Sequence, residues 1–131
     1  MTGAQVLVVE DNPRNMKLFR DVLHGSGCRT LEASTGEEAV ALATEHRPNL
    51  VLMDIQLPDI DGIEALNRLR ADERLSSMPI LALTAQAMEG DRERFLAAGF
   101  DGYLSKPVNI TDLIATVKRY CEIQDLSPNS P

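Results

Sequence analysis

Short apolar runs alternate with amphipathic stretches along the chain, and this alternation constrains the fold more than any other feature of the sequence. The strongest runs, Val-Leu-Val-Val, Leu-Val-Leu-Met and Ile-Leu-Ala-Leu, lie at 6–9, 50–53 and 80–83. Weaker runs lie at 28–33 and 102–104. Short continuous apolar runs are typical of parallel strands that are covered on both faces. We therefore expect one buried parallel sheet.

A helical pattern follows each run, bounded by residues that begin or end helices. Asn12 suits the cap and Pro13 the first position of the first helix, which Gly25 or Gly27 would end. The remaining helices are expected at 36–46, from about Asp61-Gly62, at 89–98 and at 110–123. Successive strand–helix units predict an α/β fold of the flavodoxin-like (βα)5 kind, a doubly wound parallel sheet with strand order 2-1-3-4-5.

The length and composition fit one domain with an ordinary core. The chain has 131 residues, 44% of them hydrophobic and 25% charged, so residues 1–124 can bury a core without disulfides. Cys28 and Cys121 have no paired spacing, and we expect both in apolar surroundings and a reducing compartment. Residues 125–131 are mostly polar or proline, which predicts a disordered C-terminal tail.

Charge and hydropathy exclude two classes of partner. The net charge of −7 argues against nucleic acid, since neutralising phosphates requires a basic face. No apolar run approaches the ~20 residues of a membrane helix, and the N-terminus lacks the pattern of a signal peptide. We therefore predict a cytoplasmic protein that binds neither nucleic acid nor membrane.

Side chains that can bind ligands or react follow four of the predicted strands. The first strand is followed by Glu10-Asp11, the third ends at Asp54, the fourth at Thr84, and the fifth is followed by Lys106. The carboxyl ends of parallel strands meet at one edge of the sheet, where ligands bind at the reversal of winding. Each residue alone has an ordinary structural explanation as a turn or cap former. Together they predict a functional site.

Such a site is suited to phosphoryl transfer. A carboxylate can attack phosphorus and form an aspartyl phosphate. Clustered carboxylates repel each other without a cation, and Mg²⁺ prefers oxygen ligands with room for water. We expect Asp54 to be the nucleophile, Lys106 to hold a phosphoryl oxygen and Thr84 to donate to another. No organic cofactor is expected.

These residues resemble those of the CheY-like receiver domains of two-component response regulators. The family's motifs and their spacing are matched by the acidic pair, the strand-end Asp54, Thr84-Ala85 and Lys106-Pro107. The resemblance covers about residues 5–123. The stretches 9–12, 15–19, 52–58 and 84–88 are similar to those of DivK-type single-domain regulators within the family. The resemblance implies a phosphorelay switch that promotes only its own phosphorylation and dephosphorylation, and not an enzyme.

The resemblance also implies the ligands of the metal ion. Asp54 would be the phospho-acceptor and a ligand of Mg²⁺. Asp11 would bind the ion directly, and Glu10 through a coordinated water. The backbone carbonyl of Gln56, two residues past the acceptor, would be a further ligand.

A switch and two partner surfaces follow from the same resemblance. The Lys106-Pro107 peptide bond is expected to be cis, and Thr84 and Tyr103 would form the switch pair. A histidine kinase or histidine phosphotransfer protein would dock on the first helix, through Arg14, Asn15 and Leu18. A downstream protein target would bind the face of helix 4, strand 5 and helix 5, approximately 88–95, 102–104 and 111–120.

Three other interpretations compete with this one. A phosphatase of the haloacid dehalogenase kind would have a second aspartate where this chain has Gln56, and a flavodoxin-type nucleotide binder would not have Glu10-Asp11 in its first loop. A receiver module of a hybrid histidine kinase would share all the residues above. Asp59 and Asp61 are interpreted as turn and cap residues and not as metal ligands.

Overall fold

The computed structural model describes residues 3–85 and 90–125, with the backbone alone considered for 122–125. Its strands form one parallel sheet in the order β2-β1-β3-β4-β5, which confirms the predicted flavodoxin-like topology. The strands are β1 (Gln5–Val9), β2 (Arg29–Ala33), β3 (Leu50–Asp54), β4 (Ile80–Thr84) and β5 (Gly102–Ser105). The helices are α1 (Pro13–Gly25), α2 (Gly36–His46), α3 (Gly62–Arg70), α4 (Asp91–Ala98) and α5 (Ile110–Asp125).

The predicted helix starts are confirmed by their caps. Asn12 caps α1, and its side-chain oxygen accepts from the backbone N–H groups of Arg14 and Asn15 at 2.9 and 3.3 Å. Asp61 caps α3 and accepts from the backbone N–H of Glu64 at 2.8 Å. Each cap provides a partner for a donor that the first turn of a helix leaves unpaired.

The structure differs from the prediction at three places. Helix α4 begins at Asp91, after Gly90 with a φ of +90°, and the predicted start at Glu89 lies outside the described residues. Helix α5 continues to Asp125, the first residue of the predicted tail, and 126–131 lie outside the described residues. A short 3-10 helix at Glu73–Leu75 was not predicted, because three residues are too few to show a period.

Both faces of the sheet are covered. Alternate residues of β1 and β3 point to opposite sides: Val6 and Leu50 pack with α1 and α5, whereas Leu7 and Val51 pack with α2 and α3. Every residue of β3 and β4 is buried, as expected of central parallel strands. Cys28 and Cys121 are both buried on the α1–α5 side.

The described residues contain no helix with the length and apolarity required to cross a bilayer.

Candidate functional site

A pocket opens at the carboxyl edge of the sheet. Strand register brings the predicted residues together there, because Val9 pairs with Met53, Asp54 with Leu83, and Thr84 with Ser105. The side chains predicted from the strand ends line one pocket: Glu10, Asp11, Asp54, Thr84 and Lys106, together with Gln56. Burial of β1, β3 and β4 along nearly their whole length leaves the polar groups at the carboxyl edge of the sheet.

Three carboxylates meet in this pocket. Oxygen atoms of Glu10, Asp11 and Asp54 all lie within 4.8 Å of one another. The side chains of Glu10 and Asp54 are 0% and 8% exposed, whereas Asp11 is exposed. Two of the carboxylates are therefore withdrawn from water and the third faces the opening.

Lys106 contacts both buried carboxylates. Its ammonium Nζ lies 2.6 Å from Glu10 Oε2 and 2.7 Å from Asp54 Oδ2, and its side chain is 17% exposed. Burial lowers the pKa of Lys106, but the hydrogen bonds to Asp54 and Glu10 outweigh that effect and raise it. The lysine therefore stays protonated in the pocket.

Burial raises the pKa of Glu10, and the negative charge of Asp54 raises it further, against the lowering effect of Lys106. Glu10 Oε1 also accepts from the backbone N–H of Asn12 at 3.2 Å and from Nδ2 of Asn15 at 3.5 Å. The remaining oxygen of Asp54, Oδ1, accepts from the backbone N–H of Gln56 at 2.9 Å. The acids are thus oriented by their neighbours, and their mutual repulsion persists.

This donor set fits a hard divalent cation. Lys106 brings one positive charge to carboxylates that lie within 4.8 Å of one another, so a second cation would relieve the repulsion that raises the pKa of Glu10. Carboxylate oxygens with a side open to water match the preference of Mg²⁺. Gln56 lines the same pocket, and its role as a carbonyl ligand stays a prediction of the sequence.

The two residues predicted to form a switch pair lie in different surroundings. Thr84 is buried and lines the acidic pocket. Tyr103 is half-buried in a neighbouring groove with Pro107 and Asn109. Its ring packs against Phe95 of α4, with 5.7 Å between ring centroids. The Lys106-Pro107 peptide bond is cis, as expected.

Sequence reasoning missed several residues of the site. Asn15, Asp91 and Arg94 also line the pocket, and Arg94 forms an ion pair with Asp91 at 3.2 Å. Their helical positions gave no signal of this, because polar residues are ordinary on exposed helix faces. Asp59 and Asp61 accept hydrogen bonds from backbone N–H groups at the starts of α2 and α3, and neither belongs to the carboxylate cluster.

The comparisons with known proteins agree with this geometry. Residues 6–118 match the family described as response regulator receiver domain. The polar-differentiation response regulator DivK of Brucella anthropi is 49% identical over 115 residues, which are 88% of this chain and 94% of that protein. The DivK of Brucella ovis matches at the same identity and coverage.

Solved structures with the same fold include receivers of different systems. The receiver domain of the sensor histidine kinase PA1611 of Pseudomonas aeruginosa is described with a magnesium ion in its active-site cleft. It is 39% identical, with a TM-score of 0.85, and the match covers 92% of this chain and 99% of that chain. A chain of the co-crystal of the Saccharomyces cerevisiae phosphotransfer protein Ypd1 with the receiver domain of Ssk1 is 31% identical, with a TM-score of 0.89. The match covers 98% of this chain and 96% of that chain.

Proposed function

The chain belongs to the response regulator receiver domain family, and from this premise we propose that it is a phosphorelay switch whose phospho-acceptor is Asp54. One observation carries the proposal: the carboxylate oxygens of Glu10, Asp11 and Asp54 lie within 4.8 Å of one another. Lys106 contacts two of these side chains. Such a cluster costs folding free energy unless a cation pairs with the buried carboxylates.

The transfer follows from the chemistry of the acceptor. A carboxylate oxygen of Asp54 attacks the phosphorus of a donor phosphohistidine, the P–N bond breaks, and a mixed anhydride forms on Asp54. Lys106 already contacts Asp54 Oδ2 at 2.7 Å, so its ammonium can pass to a new phosphoryl oxygen with little movement. The hydroxyl of Thr84, in the same pocket, would donate to another.

Asp11, Asp54 and the backbone carbonyl of Gln56 would hold Mg²⁺, with Glu10 acting through a coordinated water. When bound, the ion supplies positive charge that neutralises the phosphoryl oxygens. The magnesium ion described for the PA1611 receiver supports this assignment. The chain would promote its own phosphorylation and dephosphorylation and catalyse no other reaction.

The output would be a population shift between two surfaces. Thr84 would move towards the phosphoryl group, and Tyr103 would turn inward behind it. Contact between the rings of Tyr103 and Phe95 links β5 to α4, so a movement of Tyr103 would reach the face of α4, β5 and α5. A downstream protein would bind that face.

A histidine kinase or phosphotransfer protein would dock on α1. Asn15 lines the pocket and contacts Glu10, and Leu18 is an exposed large apolar residue on the same helix. The co-crystal of Ypd1 with a receiver supports this class of donor. A stand-alone regulator and a receiver module of a hybrid kinase would share this chemistry, and a cytoplasmic location stays a prediction of the sequence.

Acetyl phosphate tests the proposal. Wild-type protein incubated with it should gain one acid-stable, base-labile phosphoryl group by intact mass spectrometry when Mg²⁺ is present. The gain should be absent with EDTA and in Asp54→Asn. Modification of Asp54→Asn to the wild-type level would contradict the proposal, and so would steady turnover of phosphomonoesters.

A further inference from the structure

The loop between β3 and α3 is fastened to the start of α2 by the Asp59 carboxylate. Oδ1 accepts from the backbone N–H of Gly36 at 2.8 Å, and Oδ2 accepts from the backbone N–H of Glu37 at 2.9 Å. The first turn of a helix leaves such N–H groups without internal partners, and the helix dipole favours an anion there. Asp59 thus joins its loop to backbone groups of α2 that lie 23 and 22 positions earlier in the sequence.

Close packing supports the same contact. A Cβ atom placed on Gly36 would lie 2.4 Å from Cγ1 and 3.3 Å from the carbonyl oxygen of Ile60. Gly36 is buried, so the loop rests directly on the helix start. The Asp59 carboxylate holds the middle of the loop against α2. The lack of a side chain at Gly36 lets the loop approach the helix this closely.

The same loop carries the Gln56 backbone next to the acceptor. At its start, the N–H of Ile55 donates to the carbonyl of Leu83 at 3.0 Å, and at its end the N–H of Gly62 donates to the carbonyl of Ile55 at 2.9 Å. Between these two fixed points, the contacts of Asp59 and Ile60 with α2 anchor the outer part of the loop. Gln56 thus lies between the fixed Ile55 and the part of the loop that Asp59 and Ile60 hold against α2.

We propose that Asp59 is a positioning residue for Mg²⁺, holding the β3–α3 loop so that the backbone carbonyl of Gln56 faces the ion. This inference rests on the proposed function, because it requires a metal at the carboxylate cluster. Asp59 does not touch the metal site and acts through the backbone of the loop.

Asp59→Asn removes the bidentate contact while keeping the size of the side chain, because its NH₂ group would face an N–H donor. Asp61→Asn is the matched control: it removes the same charge from the same loop, at a side chain that caps α3 by accepting from the backbone N–H of Glu64. Mg²⁺ affinity is measured by calorimetry. Amide exchange of Gly36 and Glu37 is measured in the metal-free protein.

We expect a roughly threefold to tenfold weaker Mg²⁺ affinity in Asp59→Asn, below the ~10–100-fold effect of groups that contact a metal ligand directly. Exchange at Gly36 and Glu37 should be faster, and Asp61→Asn should keep the wild-type affinity. Should Asp59→Asn fail to fold, Asp59→Glu is measured in its place, with the same expectation. Wild-type affinity in the Asp59 variant, or an equal loss in Asp61→Asn, would overturn the inference. Failure of the wild type to bind Mg²⁺ would overturn the proposed function instead.

Discussion

Lys106 Nζ lies 2.7 Å from Asp54 Oδ2, although the two residues are 52 positions apart in sequence. The contact exists because β3 and β5 end at the same edge of the sheet, on either side of β4. The same ammonium lies 2.6 Å from Glu10 Oε2. A single cation thus holds two buried acids together before any phosphoryl group arrives.

Removal of this cation should destabilise the metal-free protein. We expect Lys106→Met to lower the free energy of unfolding by about 1.5–3 kcal/mol, the range for a hydrogen bond to a charged group, because it leaves Glu10 and Asp54 facing each other. Mg²⁺ should restore part of the loss by binding the folded state. Urea unfolding with EDTA and with Mg²⁺ checks this, and unchanged stability in EDTA would contradict it.

Gly62 makes room for the main chain at the acceptor. A Cβ atom there would lie 2.5 Å from the carbonyl oxygen of Asp54 and 2.9 Å from Cα of Ile55. Gly62→Ala should therefore cost about 1–3 kcal/mol of stability, as overpacking does. Gly25→Ala is the control, since nothing lies within 4 Å of its Cβ position. Equal denaturant midpoints for the two variants would refute the prediction.

Arg70 joins several segments at the edge of the sheet opposite the pocket. Its guanidinium donates to the carbonyl oxygens of Leu75, Ser76, Met78 and Gly99 and to the carboxylate of Asp101. The side chain is 21% exposed. We expect Arg70→Met to lower the free energy of unfolding by about 1.5–3 kcal/mol.

Arg74→Met is the control for Arg70, because Arg74 is 54% exposed and pairs with Asp72 beside it. Arg74→Met should leave the free energy of unfolding close to that of the wild type, as for an ordinary surface change. Both variants should be phosphorylated by acetyl phosphate as the wild type is. A larger loss in Arg74→Met than in Arg70→Met would count against this view of the network.

Asp59 should contribute a pH-dependent part of the stability. Hydrogen bonds from the backbone, that from Glu37 above all, lower its pKa from 3.8 to about 2. Because the pKa of Asp59 is lower in the folded state, its carboxylate stabilises the fold at any pH above the pKa of the unfolded state. This contribution disappears as the pH falls towards 2. The stability difference between wild type and Asp59→Asn should therefore be constant from pH 7 to pH 5 and shrink below about pH 4. Thermal unfolding across this range measures it, and a difference that grows with acid would contradict the assignment.

The sheet and the acidic pocket could be predicted from the sequence because each rests on a local pattern. Short continuous apolar runs indicate the strands, and a parallel sheet brings the residues after its strands to one edge. That is why Glu10, Asp54 and Lys106 could be grouped without coordinates, and why Asn12 and Asp61 could be assigned as caps.

What could not be predicted depends on partners distant in sequence. The main-chain acceptors of Arg70 include Gly99, 29 residues away, and an arginine on a helix carries no sign of such carbonyl partners. The sequence indicates an ordinary turn residue at Asp59, whereas its carboxylate oxygens accept from backbone N–H groups at the start of α2. Arg94 and Asp91 reach the pocket through the placement of α4, which depends on tertiary packing.

A crystal structure of the wild-type protein with Mg²⁺ and beryllofluoride tests the central claim most directly. The account predicts one ion about 2.0–2.1 Å from oxygens of Asp11 and Asp54 and from the carbonyl of Gln56. It also predicts beryllofluoride on Asp54 with Lys106 Nζ beside it. An ion bound elsewhere, with Glu10, Asp11 and Asp54 apart from one another, or beryllofluoride on another side chain, would contradict it.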